Sequence, residues 1–115
     1  LLMNCNFYFD YKAKGYATDA KTAIKSITQA SEIYYNERGD YPENCIEDMI
    51  SGGFIDLKQS TLNKWEFDCQ WPDDSGVGGW IEAFSTGEMT GGGGHTVFYK
   101  MDTGIFSGYG QDNKE

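Results

Sequence analysis

A single apolar stripe runs along the first third of the chain. Its members recur at alternating steps of four and three residues, the spacing that places side chains on one face of an α-helix. Lys21 and Lys25 fall off this stripe. The pattern predicts one long helix that starts near Asp10 and ends at Arg38, with Gly39 as its left-handed stop. The stripe consists of Tyr16, Ala20, Ala23, Ile27, Ala30 and Tyr34.

A short second helix is predicted just after the break GDYP at residues 39–42. Asn44 stands where the helix needs a cap, and Glu47, three residues later, stands at the reciprocal position of a capping box. The glycine pair at 52–53 ends the helix. Its apolar face consists of Ile46, Met49 and Ile50.

The second half of the chain changes to the period of strands. From Trp65 to Trp71 apolar residues alternate with polar ones, the pattern of a strand with one buried face. GWIEAFST at 79–86, HTVFYKM at 95–101 and IFSGYG at 105–110 follow, separated by the turn-forming stretches PDDSGVGG, GEMTGGGG and DTG. Because strands joined in succession usually pair with each other, we expect an antiparallel meander of three or four strands.

These elements predict an α+β fold. A sheet with one apolar face must cover it, and the long stripe is the only cover of sufficient length, so the C-terminal half of the long helix should lie across the sheet. A chain of 115 residues is expected to form one domain. Its parts are the helix segment 1–38, the connection 39–63 with the short helix, the sheet 64–110 and the tail 111–115.

Charge divides the chain into two unlike pieces. Five basic and four acidic residues give the first 38 positions a charge of +1, so −10 falls on the rest of a chain whose total is −9. Phosphate binding needs a basic face, and this balance argues against a nucleic-acid partner.

Three cysteines are present: Cys5, Cys45 and Cys69. An odd number suggests one disulfide plus a remainder in a secreted or periplasmic setting, with three reduced thiols in a cytosolic protein as the alternative. The expected pair is Cys45 with Cys69, because both lie in the part expected to be globular. A disulfide that closes a loop of that size would stabilise the fold by about 3 kcal/mol. Cys5 would be left over.

The N-terminal segment LLMNCNFYF is too short for a membrane span, which needs about 20 apolar residues. The chain begins with Leu rather than an initiator Met. We therefore expect a processed or truncated product, with any targeting information upstream, and residues 1–9 are either native or foreign to it.

The helix segment AKTAIKSITQASEIYYNERGDYP at 20–42, followed by CIEDMISGGFI at 45–55 and a small sheet, resembles the globular part of type IV pilins and type II secretion pseudopilins. The resemblance covers residues 9–60, and the sheet in outline. An apolar N-terminus bearing a glutamate and a helix-kinking proline, both features of that family, do not appear here. The matching positions are Ala20, Lys21, Ala23, Ile24, Ala30, Tyr34, Tyr35, Gly39, Tyr41 and Pro42.

The resemblance implies a structural subunit of a helical filament, packed with copies of itself or with other pilins. Such a subunit is anchored in the inner membrane through a missing N-terminal segment, and is found in a cell-surface filament or on the periplasmic face of that membrane. Surface pilus or secretion pseudopilus, major or minor subunit, and any cargo or receptor stay open. The residues expected at filament packing are Tyr16, Ala20, Ala23, Lys21 and Lys25, and those expected to clasp the helix end are Tyr34, Gly39, Tyr41 and Pro42.

No residue pattern typical of an enzyme is present. His95 is the only histidine, and a catalytic or zinc role would need partners that the sequence does not supply, so we expect a surface or edge position. The stretch TGGGGHT lacks the Gly-Lys-Ser/Thr ending of a phosphate loop and predicts a flexible hairpin loop instead.

Calcium is the one cofactor that the sequence leaves open. Carboxylates in loops suit this ion, and some pseudopilins hold one in a loop of the sheet, whereas solvated turns are the alternative. The candidate ligands are Asp73, Asp74, Asp102 and Asp112.

The three tryptophans raise an alternative function. Trp65 and Trp71 alternate in phase with Phe67 and Cys69, which predicts core positions. If Trp65, Trp71 and Trp80 were instead exposed, they would offer platforms for sugars. The alternative is thus a monomeric extracytoplasmic module that binds a glycan or protein ligand through aromatic residues of the sheet.

Overall fold

The long apolar stripe forms one continuous helix in this computed structural model, which describes the backbone of residues 2–112 and the side chains of residues 11–112. Two short helices and four strands follow it, so the chain has the predicted α+β class. In chain order the elements are α1 (Leu2–Arg38), α2 (Cys45–Ser51), α3 (Gln59–Lys64), β1 (Trp65–Gln70), β2 (Trp80–Ser85), β3 (Thr96–Lys100) and β4 (Ile105–Gly108).

Helix α1 is longer than predicted at its start and ends where predicted. It begins at Leu2 rather than near Asp10, because the segment 2–9 contains neither Gly nor Pro to stop it. At its end Gly39 has a φ of +82°, and its N–H donates to the Tyr35 carbonyl oxygen at 2.7 Å. Its 37 residues rise about 55 Å, which matches the 54 Å long dimension of the molecule.

The four strands form the predicted antiparallel meander, in the order β1-β2-β3-β4. Phe67 pairs with Ala83, Ala83 with Val97, and Val97 with Gly108, so one row of paired positions crosses the sheet on the face turned toward α1. A tight turn at Gly104, with a φ of +73°, joins β3 to β4 as the DTG segment predicts.

The core lies between α1 and the inner face of the sheet. On the helix side Ala20, Ile27 and Ala30 are buried as the stripe predicts. Tyr34 is only half-buried, and its ring contacts Phe54 instead. Small side chains let the helix lie close to its neighbours, which is why the buried set is rich in alanine. On the sheet side the core consists of Trp65, Ile81, Ala83 and Val97.

The short helices differ from the prediction in detail. Asn44 precedes α2, but its side chain accepts no capping hydrogen bond, and the reciprocal partner is Asp48 rather than Glu47. The Asp48 carboxylate accepts the backbone N–H of Asn44 at 3.0 Å, and this bond lowers the pKa of Asp48. Ile50 is 41% exposed and so does not share the buried face. Helix α3 was not predicted, because its sequence QSTLNK has no apolar period.

Candidate functional site

A row of aromatic rings holds the break after α1. The Tyr35 ring lies 4.6 Å from that of Tyr41, which in turn lies nearly parallel to Trp71 at 5.3 Å. The indole N–H of Trp71 donates to the Pro42 carbonyl oxygen at 2.7 Å. Burial first, then Tyr35 and Glu32, raise the pKa of Tyr41. We call Tyr35, Tyr41 and Trp71 the aromatic clasp, and it ties the end of α1 to the chain just after β1.

The membership of the clasp differs from the prediction. Gly39 and Pro42 occupy their expected places, but Tyr34 contacts a different partner from Tyr41. Its ring instead lies 4.9 Å from that of Phe54, with the guanidinium of Arg38 above both rings. Because successive helix residues point about 100° apart, Tyr34 and Tyr35 contact different neighbours.

The predicted disulfide joins Cys45, at the start of α2, to Cys69 in β1. Their Cα atoms lie 5.2 Å apart, inside the range that a disulfide spans. The bond therefore fixes the short helix to the same edge of the sheet that the aromatic clasp holds. The prediction that Cys5 is left over concerns a side chain outside the described residues.

The face of α1 turned away from the sheet carries a second stripe, which we call the outer stripe. Its members recur at steps of three and four and are all exposed, and no acidic residue stands among them. Two are lysines, and Ile33 is 50% exposed. This stripe is a continuous exposed helical surface, on which Lys14 forms an ion pair with Asp112. It consists of Lys14, Thr18, Thr22, Lys25, Gln29 and Ile33.

The residues predicted for filament packing divide between the two faces of α1. Ala20 and Ala23 are buried against the chain's own core, at 0% and 4% exposure, so they present no surface to another subunit. Tyr16 is half-buried, and Lys21 is half-buried with its ammonium 4.9 Å above the Phe106 ring. Only Lys25 of the predicted set is exposed.

The outer face of the sheet carries a partly exposed aromatic group. Trp80 in β2 and Phe98 in β3 lie with ring centroids 5.6 Å apart, and Phe84 is 37% exposed on the same face. By contrast, Trp65 is buried in the core and Trp71 belongs to the aromatic clasp. Of the three tryptophans, Trp80 is therefore the one on the outer face of the sheet.

Carboxylates accompany this aromatic group. Asp68 in β1 stands directly across from Glu82 in β2, a like-charged pair that weakens strand pairing by a few tenths of a kcal/mol to about 1 kcal/mol. Burial first, then the charge of Asp68, raises the pKa of Glu82. The outer face is thus both aromatic and acidic.

His95 lines a cleft between residues 12–16 of α1 and the glycine-rich segments at the ends of β3 and β4. The cleft has a volume of about 740 Å³. The imidazole stacks on the Tyr109 ring at 4.0 Å, and its Nε2 lies 3.2 Å from the Gly91 carbonyl oxygen. His95 is half-buried and directly precedes β3. We call this space the His95 cleft. Its lining consists of Lys12, Ala13, Tyr16, Gly91, Gly94, His95, Thr96, Gly108, Tyr109 and Gly110.

The four carboxylates considered for calcium do not come together. Asp73 accepts the backbone N–H groups of Ser75 and Val77, the role of a turn residue, and Asp112 forms an ion pair with Lys14 at 3.0 Å. Within residues 11–112 no three His, Cys, Asp or Glu side chains lie close enough to hold a metal ion. Calcium binding stays a prediction without a placed site. In the same part of the chain, no helix is both long and apolar enough to cross a membrane.

Several residues at these sites were missed by the sequence reasoning. Tyr35 was visible as the second residue of the tyrosine pair, but nothing local shows that its neighbour Tyr41 stacks in turn on Trp71, 30 positions after Tyr41. Phe98 alternates out of phase with Val97 and Tyr99, which could have placed it on the outer face.

Comparison of the chain with protein-family models, with curated proteins and with solved structures finds no match.

Proposed function

We propose that this chain is a structural subunit of a helical filament of the type IV pilin or pseudopilin kind, without catalytic activity. One observation carries the proposal: the C-terminal part of a 37-residue helix is buried across an antiparallel sheet, while the helix runs on well past the first residues that pack on it. Among the residues whose side chains the structure describes, Ala13 already packs on the end of the sheet, since a Cβ added at Gly110 would overlap its carbonyl group. From Ala13 to Leu2 the helix rises a further 16 Å or so.

We call the sheet, the short helices and the turns of α1 packed on them the head. Helix α1 is longer than packing within the head requires. A helix that serves only its own core gains nothing from additional turns, because most helical stability in proteins comes from tertiary packing. Additional turns acquire partners if they pack against the same turns of other copies. Repeated head-to-tail contacts of this type generate an open helical polymer. The resemblance at residues 20–42 supports the same conclusion.

Electron microscopy of the full-length native protein tests the proposal. Helical fibres of uniform diameter are the expected result. Dispersed monomers under all assembly conditions, together with a ligand bound by those monomers, would count against a filament subunit. An upstream gene sequence with a short basic leader, then a glycine and an apolar run with Glu at its fifth position, would support the class independently.

Charge reversal on the outer stripe should weaken assembly without unfolding the head. In the polymer Lys25 would face the acidic heads of its neighbours, and an exposed pair of this kind contributes about 0 to 1 kcal/mol. Lys25→Glu in the full-length protein should therefore raise the critical concentration for filaments by up to about fivefold. The thermal midpoint of the head should move little, because Lys25 is exposed.

The matched control for this prediction is Lys100→Glu, the same charge change at an exposed position in β3, on the outer face of the sheet and away from the outer stripe. An equal effect of both variants on assembly would show that net charge alone matters. Lys21 is unsuitable for the test, because it packs over Phe106 and its reversal would also cost about 0.5 to 1 kcal/mol of cation–π energy.

The outer face of the sheet supports a second candidate function, a binding module. Trp80 and Phe98 form a partly exposed aromatic pair beside Asp68 and Glu82, which suits a neutral or basic ligand. A ligand that binds the dispersed chain, and that is lost in Trp80→Ala without a change in fold, would favour this function. Retained binding in that variant would remove it.

A further inference from the structure

The His95 cleft differs in charge from the rest of the molecule. The protein as a whole carries −9. Among the described residues that line this cleft, none is Asp or Glu, while Lys12 and His95 both are present. A concave surface whose described lining holds a lysine and no acid favours negative charge, because low-dielectric walls concentrate the local field.

The tyrosines of the cleft supply hydroxyl donors and aromatic walls. Tyr16 and Tyr109 converge at Gly91, where an added Cβ would overlap the Tyr109 hydroxyl oxygen and stand 2.9 Å from Tyr16 Cδ2. Only glycine therefore allows both rings to approach. Burial first, then Tyr16, raises the pKa of Tyr109, so its hydroxyl stays protonated near neutral pH and can donate.

The glycine loop does not itself form a phosphate cradle. The backbone N–H groups of Gly92 and Gly94 donate to the carbonyl oxygens of Met89 and Ser85, at 2.8 and 3.1 Å. The N–H of His95 donates to the Ser85 hydroxyl oxygen at 2.8 Å. With these donors used inside the loop, recognition of a ligand falls to side chains. Because a carbonyl oxygen can only accept, the contact with Gly91 makes Nε2 of His95 the donor and leaves Nδ1 as its second polar atom.

The volume of the cleft is larger than a bare oxyanion requires. A water molecule occupies about 30 Å³, whereas typical small-molecule sites span about 300 to 1,000 Å³. At about 740 Å³ the cleft belongs with the latter. Its lining combines hydroxyl groups, aromatic faces and basic groups, which suits a polyhydroxylated ring that carries a carboxylate.

We propose that the His95 cleft binds an acidic saccharide of monosaccharide to disaccharide size. The carboxylate of the sugar lies near Lys12, and its ring lies against Tyr16 and Tyr109. Nδ1 of His95, which is an acceptor when Nε2 carries the proton, accepts a hydrogen bond from a sugar hydroxyl. The hydroxyl group of Thr96 and the glycine carbonyl groups serve the sugar hydroxyls. This site is separate from the aromatic and acidic outer face of the sheet, where an anionic ligand would be repelled by Asp68 and Glu82.

A titration followed by ¹H–¹⁵N NMR tests the proposal on the 115-residue chain, with D-glucuronate as the probe. The amide signals of Gly91, Gly94, Thr96 and Gly110 should shift and saturate, with a dissociation constant on the order of 1 mM for so small a ligand. Glucose, which lacks the carboxylate, should bind at least about threefold more weakly. Inorganic phosphate, which lacks the ring, should shift the same signals less at equal concentration.

Two variants and one control locate the binding. Lys12→Gln and His95→Gln should each weaken D-glucuronate binding about threefold to fivefold. Lys58→Gln, an equal charge change outside the cleft, should leave the dissociation constant unchanged. If His95→Gln alters the dispersion of the amide spectrum, that variant has changed the fold, and the dissociation constant of Lys12→Gln alone then tests the site.

Three results would overturn the proposal. They are saturation by glucose at the same concentration as D-glucuronate, equal shifts with inorganic phosphate alone, and no saturable shift at the cleft. The inference does not depend on the filament, because the titration uses the dispersed chain. Loss of fibres with binding intact would remove the filament proposal alone, and fibres without binding would remove only this one.

Discussion

Trp65→Ala is expected to lower the free energy of unfolding by about 3 to 5 kcal/mol, the largest effect of any single substitution proposed for this chain. Trp65 begins β1 and is the largest of the fully buried side chains, with 1% exposure. Truncation would leave a cavity between α1 and the sheet that the surrounding elements cannot close. Urea unfolding measures the lost free energy of unfolding, provided that its dependence on urea concentration is the same in both proteins.

Two comparison variants make this prediction specific. Trp65→Phe should cost less than about 1.5 kcal/mol, because it keeps most of the ring volume and removes an indole N–H that is buried without a hydrogen-bond partner in the described part of the chain. Trp80→Ala, on the outer face, should cost less than Trp65→Ala because Trp80 is only half-buried. Equal losses at Trp65 and Trp80 would contradict the assignment of the inner face.

Removal of the disulfide should have the second-largest effect. The bond between Cys45 and Cys69 closes a loop with a sequence separation of 24 residues. The chain-entropy model gives about 3 kcal/mol for a loop of this length, so the double variant Cys45→Ser/Cys69→Ser should unfold at a correspondingly lower urea concentration. Dithiothreitol added to the unmodified chain should produce a similar shift.

Cys5→Ser is the control, because it removes the cysteine that this bond leaves out. That variant should unfold like the unmodified chain and should keep its response to dithiothreitol. An unmodified chain whose stability is the same with and without reductant would argue that the bond contributes nothing. It would also remove the main support for the expected oxidising compartment.

The elements that could be predicted from the sequence share a local cause. The helix period over residues 16–34, the alternation over 65–71 and the stop at Gly39 are each set by near neighbours along the chain. The Cys45–Cys69 pair was predictable because these two cysteines lie in the part of the sequence expected to be globular. Three predictions from local patterns were wrong. Helix α1 begins at Leu2, and the polar segment of α3 is helical. The side chain that accepts the Asn44 N–H at the start of α2 is Asp48 rather than Glu47.

The sites depend instead on contacts between distant segments. Trp71 meets Pro42 across 29 positions, and His95 stacks on Tyr109 from the far side of a hairpin. No period in the sequence encodes such pairs, because each depends on how the helix and the sheet are set against one another. The same reason explains why Lys21, polar in the pattern, lies over Phe106, while Lys25, four residues later, stays exposed. The sequence by itself determined the long helix, the meander and the disulfide, and only the tertiary structure decided which aromatic and basic side chains meet.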